Sequence, residues 1–186
     1  MPARYIWLGL ICALLQSQPA AAGEPAADFL TKLFLEVCVP NMGRPDKVRA
    51  WANERRLGPV TNPASVSVFV GPGDKGGAWA LPAGVGNFAV AIRGQTEACT
   101  VWAQSASPGD VEINFKKLME GVNRPGLKMK VERDATAPTP VGQARPLVYS
   151  LFANDARQGF AFTMLTAERS GGPFQATLQV SKATMP

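Results

Sequence analysis

The sequence predicts an α+β fold: an antiparallel β-sheet of about seven or eight strands, with an N-terminal helical hairpin and one mid-chain helix packed on one face. Three observations predict it. Apolar residues recur every three or four positions near the start of the chain and again after residue 107, the spacing of a helix buried on one side. Elsewhere the period drops to two, the spacing of a half-buried strand. Close turns rich in Gly and Pro separate the strand-like runs, which favours pairing between sequence neighbours. At 186 residues, 46% hydrophobic and 18% charged, the chain has the apolar material for one globular core.

The first 22 residues read as a secretory signal peptide. Met1 to Arg4 is a short basic start, Tyr5 to Leu15 an apolar run, and Ala20-Ala21-Ala22 supplies the small residues that a signal peptidase needs, so cleavage is expected between Ala22 and Gly23. The run is too short to cross a bilayer, which takes about 20 apolar residues. Residues 23–186 then form a single exported α+β domain without a membrane span. Cys12 leaves with the leader, and Ile11 before it is too large for a lipoprotein signal.

The first helix opens at Glu24-Pro25 and carries Phe29, Leu30, Leu33, Phe34, Val37 and Cys38 on one face; Pro40 ends it at or before Val39. A second helix fits Pro45 to Arg56, with Pro at its start, Val48, Trp51 and Ala52 as its stripe, and Gly58 beyond its end. Ser65 to Val70 alternates as a strand does. The Gly-rich stretch Gly71 to Gly77 is a turn, and Ala78 to Leu81, Phe88 to Ile92 and Ala98 to Ala103 complete a four-stranded meander. Ser107-Pro108-Gly109-Asp110 is a helix start signal, followed by Val111, Phe115, Leu118 and Val122 on one face. Leu127 to Val131 reads as a strand and Ala135 to Pro140 as a Pro/Thr-rich connector. Three last strands fit Leu147 to Phe152, Phe160 to Thr166 and Phe174 to Val180.

The net charge is +5, and loss of Arg4 with the leader lowers it by one. The basic residues are scattered, with no run of the length that marks a nucleic-acid tail, so no nucleic-acid partner is expected. Two cysteines remain in the mature chain. Cys38 and Cys99 in an exported protein read as a disulfide that closes a loop of about 60 residues, worth about 4 kcal/mol; two separate buried thiols are the competing reading.

There is no histidine, which removes Ser-His-Asp and Cys-His nucleophile systems and imidazole metal sites. No catalytic residue, cofactor or metal site is assigned. Carboxylate chemistry needs no histidine, and four residues qualify for it. Asp110 is explained by the capping turn of its helix, with Glu112 close behind. Glu132 and Asp134 would share a face of a strand, but Arg133 between them favours a solvated ion-pair cluster over an acid/base pair. Gly71 to Gly77 lacks the spacing of a phosphate loop and leads into a strand. Trp51, Trp79 and Trp102 each lie in an apolar stripe and read as core; a Trp at the sheet edge would be the place to look for a ligand.

Two stretches carry a family resemblance: Phe34-Leu35-Glu36-Val37-Cys38-Val39-Pro40-Asn41 with Val48-Arg49-Ala50-Trp51-Ala52, and Ala98-Cys99-Thr100-Val101-Trp102-Ala103. With the leader and the intervening Gly-Gly-Ala-Trp-Ala-Leu-Pro strand, residues 28 to 120 resemble a family of small uncharacterised proteobacterial periplasmic envelope proteins named for a neisserial reading frame. The resemblance implies a periplasmic location and a Cys38 to Cys99 pair, and it implies no activity. The expectation is a monomeric, non-catalytic binding or protein-interaction domain, of the inhibitor or immunity type, whose partner is an envelope protein or a small ligand. The alternatives are a hydrolase built on carboxylates alone and a carrier of apolar ligands.

Overall fold

A computed structural model describes residues 24–122, 124–139, 142–168 and 173–185. The leader and the expected cleavage point between Ala22 and Gly23 lie outside the described residues. The fold is α+β, built on a nine-stranded antiparallel sheet.

The chain begins with α1 (Glu24–Leu33), which widens into a π-helical turn at Phe34–Cys38. The Val39 amide donates to the Phe34 carbonyl five residues back, at 3.1 Å. The wider turn brings Phe34, Val37 and Cys38 all to full burial before Pro40 stops the helix. Next come α2 (Pro45–Glu54), the two-residue β1 (Gly58–Pro59) and α3 (Pro63–Val70). The meander β2 (Gly77–Ala83), β3 (Gly86–Ile92) and β4 (Cys99–Ala103) leads to α4 (Pro108–Val122). The chain then runs through β5 (Leu127–Asp134), β6 (Ala137–Thr139), β7 (Gly142–Ala153), β8 (Gln158–Ala167) and β9 (Ala176–Thr184).

The strand order is β1-β2-β3-β4-β9-β8-β7-β5, with β6 beside the start of β7. Helix α4 therefore carries the chain from the middle of the sheet to its far edge. The strands after it return to close against β4, where Val101 faces Leu178 in register. On the first face the main core joins Leu30, Phe34 and Val37 to Phe115 and Met119 of α4, and both groups to Val90, Phe162 and Leu178 of the sheet. Burying each large side chain there contributes about 1.5–3 kcal/mol. Cys38 in the π-helical turn and Cys99 in β4 form a disulfide-capable pair across this layer, with Cα atoms 5.4 Å apart.

Three expectations need correction. Ser65 to Val70 is not a strand but most of α3. Asn62 caps that helix by accepting from the Ser65 amide at 3.1 Å, and Pro63 occupies its first turn. The Ser/Val alternation also satisfies a helical stripe, because Val66, Phe69 and Val70 fall at i, i+3 and i+4 while Val68 points to solvent. The sheet has nine strands, because β1 and β6 add two short pairings that no periodicity announces. Part of the Ala135 to Pro140 connector is β6; Pro140 lies outside the described residues.

Helix α3 lies on the second face of the sheet. Phe69 and Val70 pack onto Ala78, Ala89 and Ala91, and Phe69, Trp102 and Phe174 form an aromatic trio with centroids 4.9–5.4 Å apart. Strand β3 shows the logic of the two faces. Phe88, Val90 and Ile92 fill the main core, while Ala89 and Ala91 between them leave room for a helix.

A candidate binding groove on the open half of the sheet

Helix α3 packs on β2, β3 and β4, and its cluster extends to Trp102 of β4 and Phe174. On the same face, β9, β8, β7 and β5 carry a groove of about 530 Å3. Its floor and walls come from Phe152 and Ser150 of β7, Ala161 of β8, and Ala183, Thr184 and Met185 at the chain's C-terminal end. Lys128, Lys130 and Glu132 of the edge strand β5 form one lip.

Strand register explains the shape. Ser150 lies opposite Ala161, and Ala161 opposite Ser181, so small side chains align in a row across three strands. In the neighbouring row, Phe152 lies opposite Gly159. A Cβ at Gly159 would collide with the Leu151 carbonyl and the Phe152 ring, so only glycine lets that ring lie across β8. Phe152 is thereby 7% exposed.

A β-bulge at the lip decides where the candidate carboxylates go. The register of β5 against β7 shifts between Val131 and Arg133, leaving Glu132 as the extra residue. Glu132 and Asp134 therefore do not share a face, as plain alternation predicted. Glu132 turns to the open half, where it accepts from the Ser150 hydroxyl at 2.6 Å and from Lys130 Nζ at 2.9 Å. The Ser150 hydrogen bond and then the Lys130 contact hold its carboxyl below its ordinary pKa. Asp134 turns to the helical side and meets Arg145 at 2.9 Å.

Arg145 also reaches Glu112 at 3.0 Å, and Glu112 accepts from Lys116 at 2.7 Å, one turn along α4. That hydrogen bond raises the Lys116 pKa, and the Asp134 contact raises that of Arg145. The fold thus brings Glu112 and Asp134 together, but with a guanidinium between them. A hydrolytic pair needs a sugar ring or a water in that space, and the cleft beside Arg145 is only about 170 Å3. Asp110 sits in the first turn of α4, its amide donating to the Ser107 hydroxyl at 3.4 Å, as the start signal predicts.

The Gly71 to Gly77 stretch ends in β2, and its interior is organised by an anion already present. The Asp74 carboxylate accepts from the amides of Gly76 at 2.8 Å, Gly94 at 2.6 Å and Gln95 at 3.4 Å. The donors that could cradle a phosphate are taken by this side chain.

Among the tryptophans, Trp79 is 6% exposed in the main core. Trp102 belongs to the aromatic trio beneath α3, and Trp51 on α2 is half-buried, donating to Glu36 at 3.3 Å with Arg55 stacked 4.4 Å from its ring. None of the three lines the groove. The groove residues Ser150, Phe152, Ala161 and Ala183 were not singled out by sequence reasoning. The available signal was the run of Lys128 and Lys130 alternating with apolar residues, followed three strands later by the small residues Gly159 and Ala161.

No family model matches the chain, and neither a curated protein nor a solved structure does.

Proposed function

We propose that this protein is a non-catalytic binding domain of the periplasm, and that it binds through the groove on the open half of its sheet. The observation that carries the reading is that groove: an apolar floor at Phe152, Ala161 and Ala183, with a charged lip at Lys128, Lys130 and Glu132. Its volume lies within the roughly 300–1,000 Å3 typical of small-molecule sites. The leader, the disulfide-capable Cys38 and Cys99, and the resemblance to small proteobacterial envelope proteins support the location.

One observation bears on a second reading, a small hydrolase. Ser150 Oγ lies 2.6 Å from Glu132 inside the groove, as a nucleophile lies against a base. The pairing argues for the binding role instead. A carboxylate whose pKa is lowered by Ser150 and Lys130 is a weaker base than a free one, the opposite of the tuning that general-base catalysis uses.

The test is a photo-crosslinking residue placed at Met185 on the groove wall and, as a control, at Asn53 on the exposed side of α2, in the exported protein in cells. A stoichiometric adduct of one mass, formed from position 185 only, supports the reading. Equal labelling from both positions, or none from 185, removes it.

A further inference from the structure

The groove has a direction and a polarity, and these define its occupant. We infer that it holds one acyl chain carrying an anionic head, with the chain lying across β7, β8 and β9 and the head at the β5 lip. The inference rests on the reading of the open half as the binding site.

The row of Ser150, Ala161 and Ser181 runs perpendicular to the strands, beside a second row of Phe152, Gly159 and Ala183, so small side chains extend across the sheet from the β5 lip. Phe152 and Ala183 give one side of the groove apolar character. An apolar strip that runs from the lip across β7, β8 and β9 matches an extended, unbranched chain.

Its end at β5 is basic. Lys128 and Lys130 line it, and register places Arg133 opposite Val148 on the same side of the sheet. The one carboxylate at this lip, Glu132, is already engaged by Ser150 and Lys130. Lys128 makes no ion pair among the described residues. The charge left over at the lip is positive, and the complementary head is anionic, for which a carboxylate is the simplest probe.

An extended peptide added to the free edge of β5 is the competing occupant. The bulge at Glu132 interrupts the hydrogen-bonding row that such a strand would need, and five of the eight residues of β5 are charged. Both features keep edges from pairing.

The experiment titrates octanoate, decanoate and dodecanoate, each below its micelle concentration, into the isotopically labelled mature protein and follows amide shifts. The expected result is movement of Ser150, Ala161 and Ala183, with affinity rising roughly fourfold per added methylene. Reversing the lip with Lys128→Glu and Lys130→Glu should weaken dodecanoate about fivefold, the scale of exposed charge pairs, and strengthen dodecyltrimethylammonium. Filling the trough with Ala161→Leu leaves the lip intact and should flatten the dependence on chain length.

Affinity independent of chain length, shifts outside the groove, or binding to phosphatidylglycerol vesicles without binding to dodecanoate would each overturn the inference. An adduct at position 185 with a protein partner, in a chain that ignores all three carboxylates, removes the acyl ligand and leaves the binding reading standing. No adduct and no carboxylate binding removes both.

Discussion

The second face of the sheet has two halves, and they solve the same problem differently. Under α3, Ala78, Ala89 and Ala91 are each at most 3% exposed, because a helix and three aromatic rings cover them. On the other half, Leu165 is 40% exposed, and Ala161, Thr163 and Gln179 are half-buried. The same period of two produced both. Small residues in one half make room for a helix that belongs to the chain; small residues in the other make a trough that the chain itself does not fill. The comparison teaches that alternation sets which residues face outward and says nothing about what meets them.

The largest expected effect reaches both halves at once. Cys38→Ser should lower stability by about 4 kcal/mol, because the pair ties the helical layer to β4, the strand beside which the two halves meet. Urea unfolding measures it, and both halves should melt in one transition. Two titratable thiols in denatured, non-reduced wild type would show that the pair is not closed.

Phe69→Ala strikes the covered half alone. It removes the ring that contacts both Trp102 and Phe174 and should cost about 3 kcal/mol, with a red shift of Trp emission as Trp102 becomes wet. The matching change on the open half, Leu165→Ala, should cost less than about 0.5 kcal/mol. A loss as large as that of Phe69→Ala would mean that the open half is covered in solution, and the contrast would fail.

The smallest effect sharpens the groove itself. Ser150→Ala removes the main cause of the lowered Glu132 pKa, so the carboxyl should titrate at higher pH, as carbon-detected NMR would read. The sign follows from linkage: a carboxyl with a depressed folded pKa stabilises above its unfolded pKa, and that contribution fades as pH falls through the folded value. The stability difference between wild type and Ser150→Ala should therefore shrink in acid. A Glu132 midpoint unmoved by the substitution would separate the two groups.

How much was legible depended on whether the deciding contacts were local. The N-terminal helix, α2 and α4 were readable because their stripes and their Pro and Ser starts lie within one helix length. Helix α3 is announced by Asn62-Pro63, yet Ser65-Val66-Ser67-Val68-Phe69-Val70 fits both periods. The direction of Glu132 was not readable at all, since a bulge is a relation between two strands and leaves no mark on one. The fate of Asp74 was equally hidden: its amide partners at Gly94 and Gln95 come from the next turn but one.

The sequence by itself determined the α+β class, three of the four helices, most of the strands and the absence of imidazole chemistry, because these depend on residue type and short-range spacing. Only the tertiary structure decided which carboxylates meet an arginine, which small residues lie under α3, and which are left to line a groove. Those outcomes depend on strand order and register, which are fixed by contacts between residues far apart in the chain.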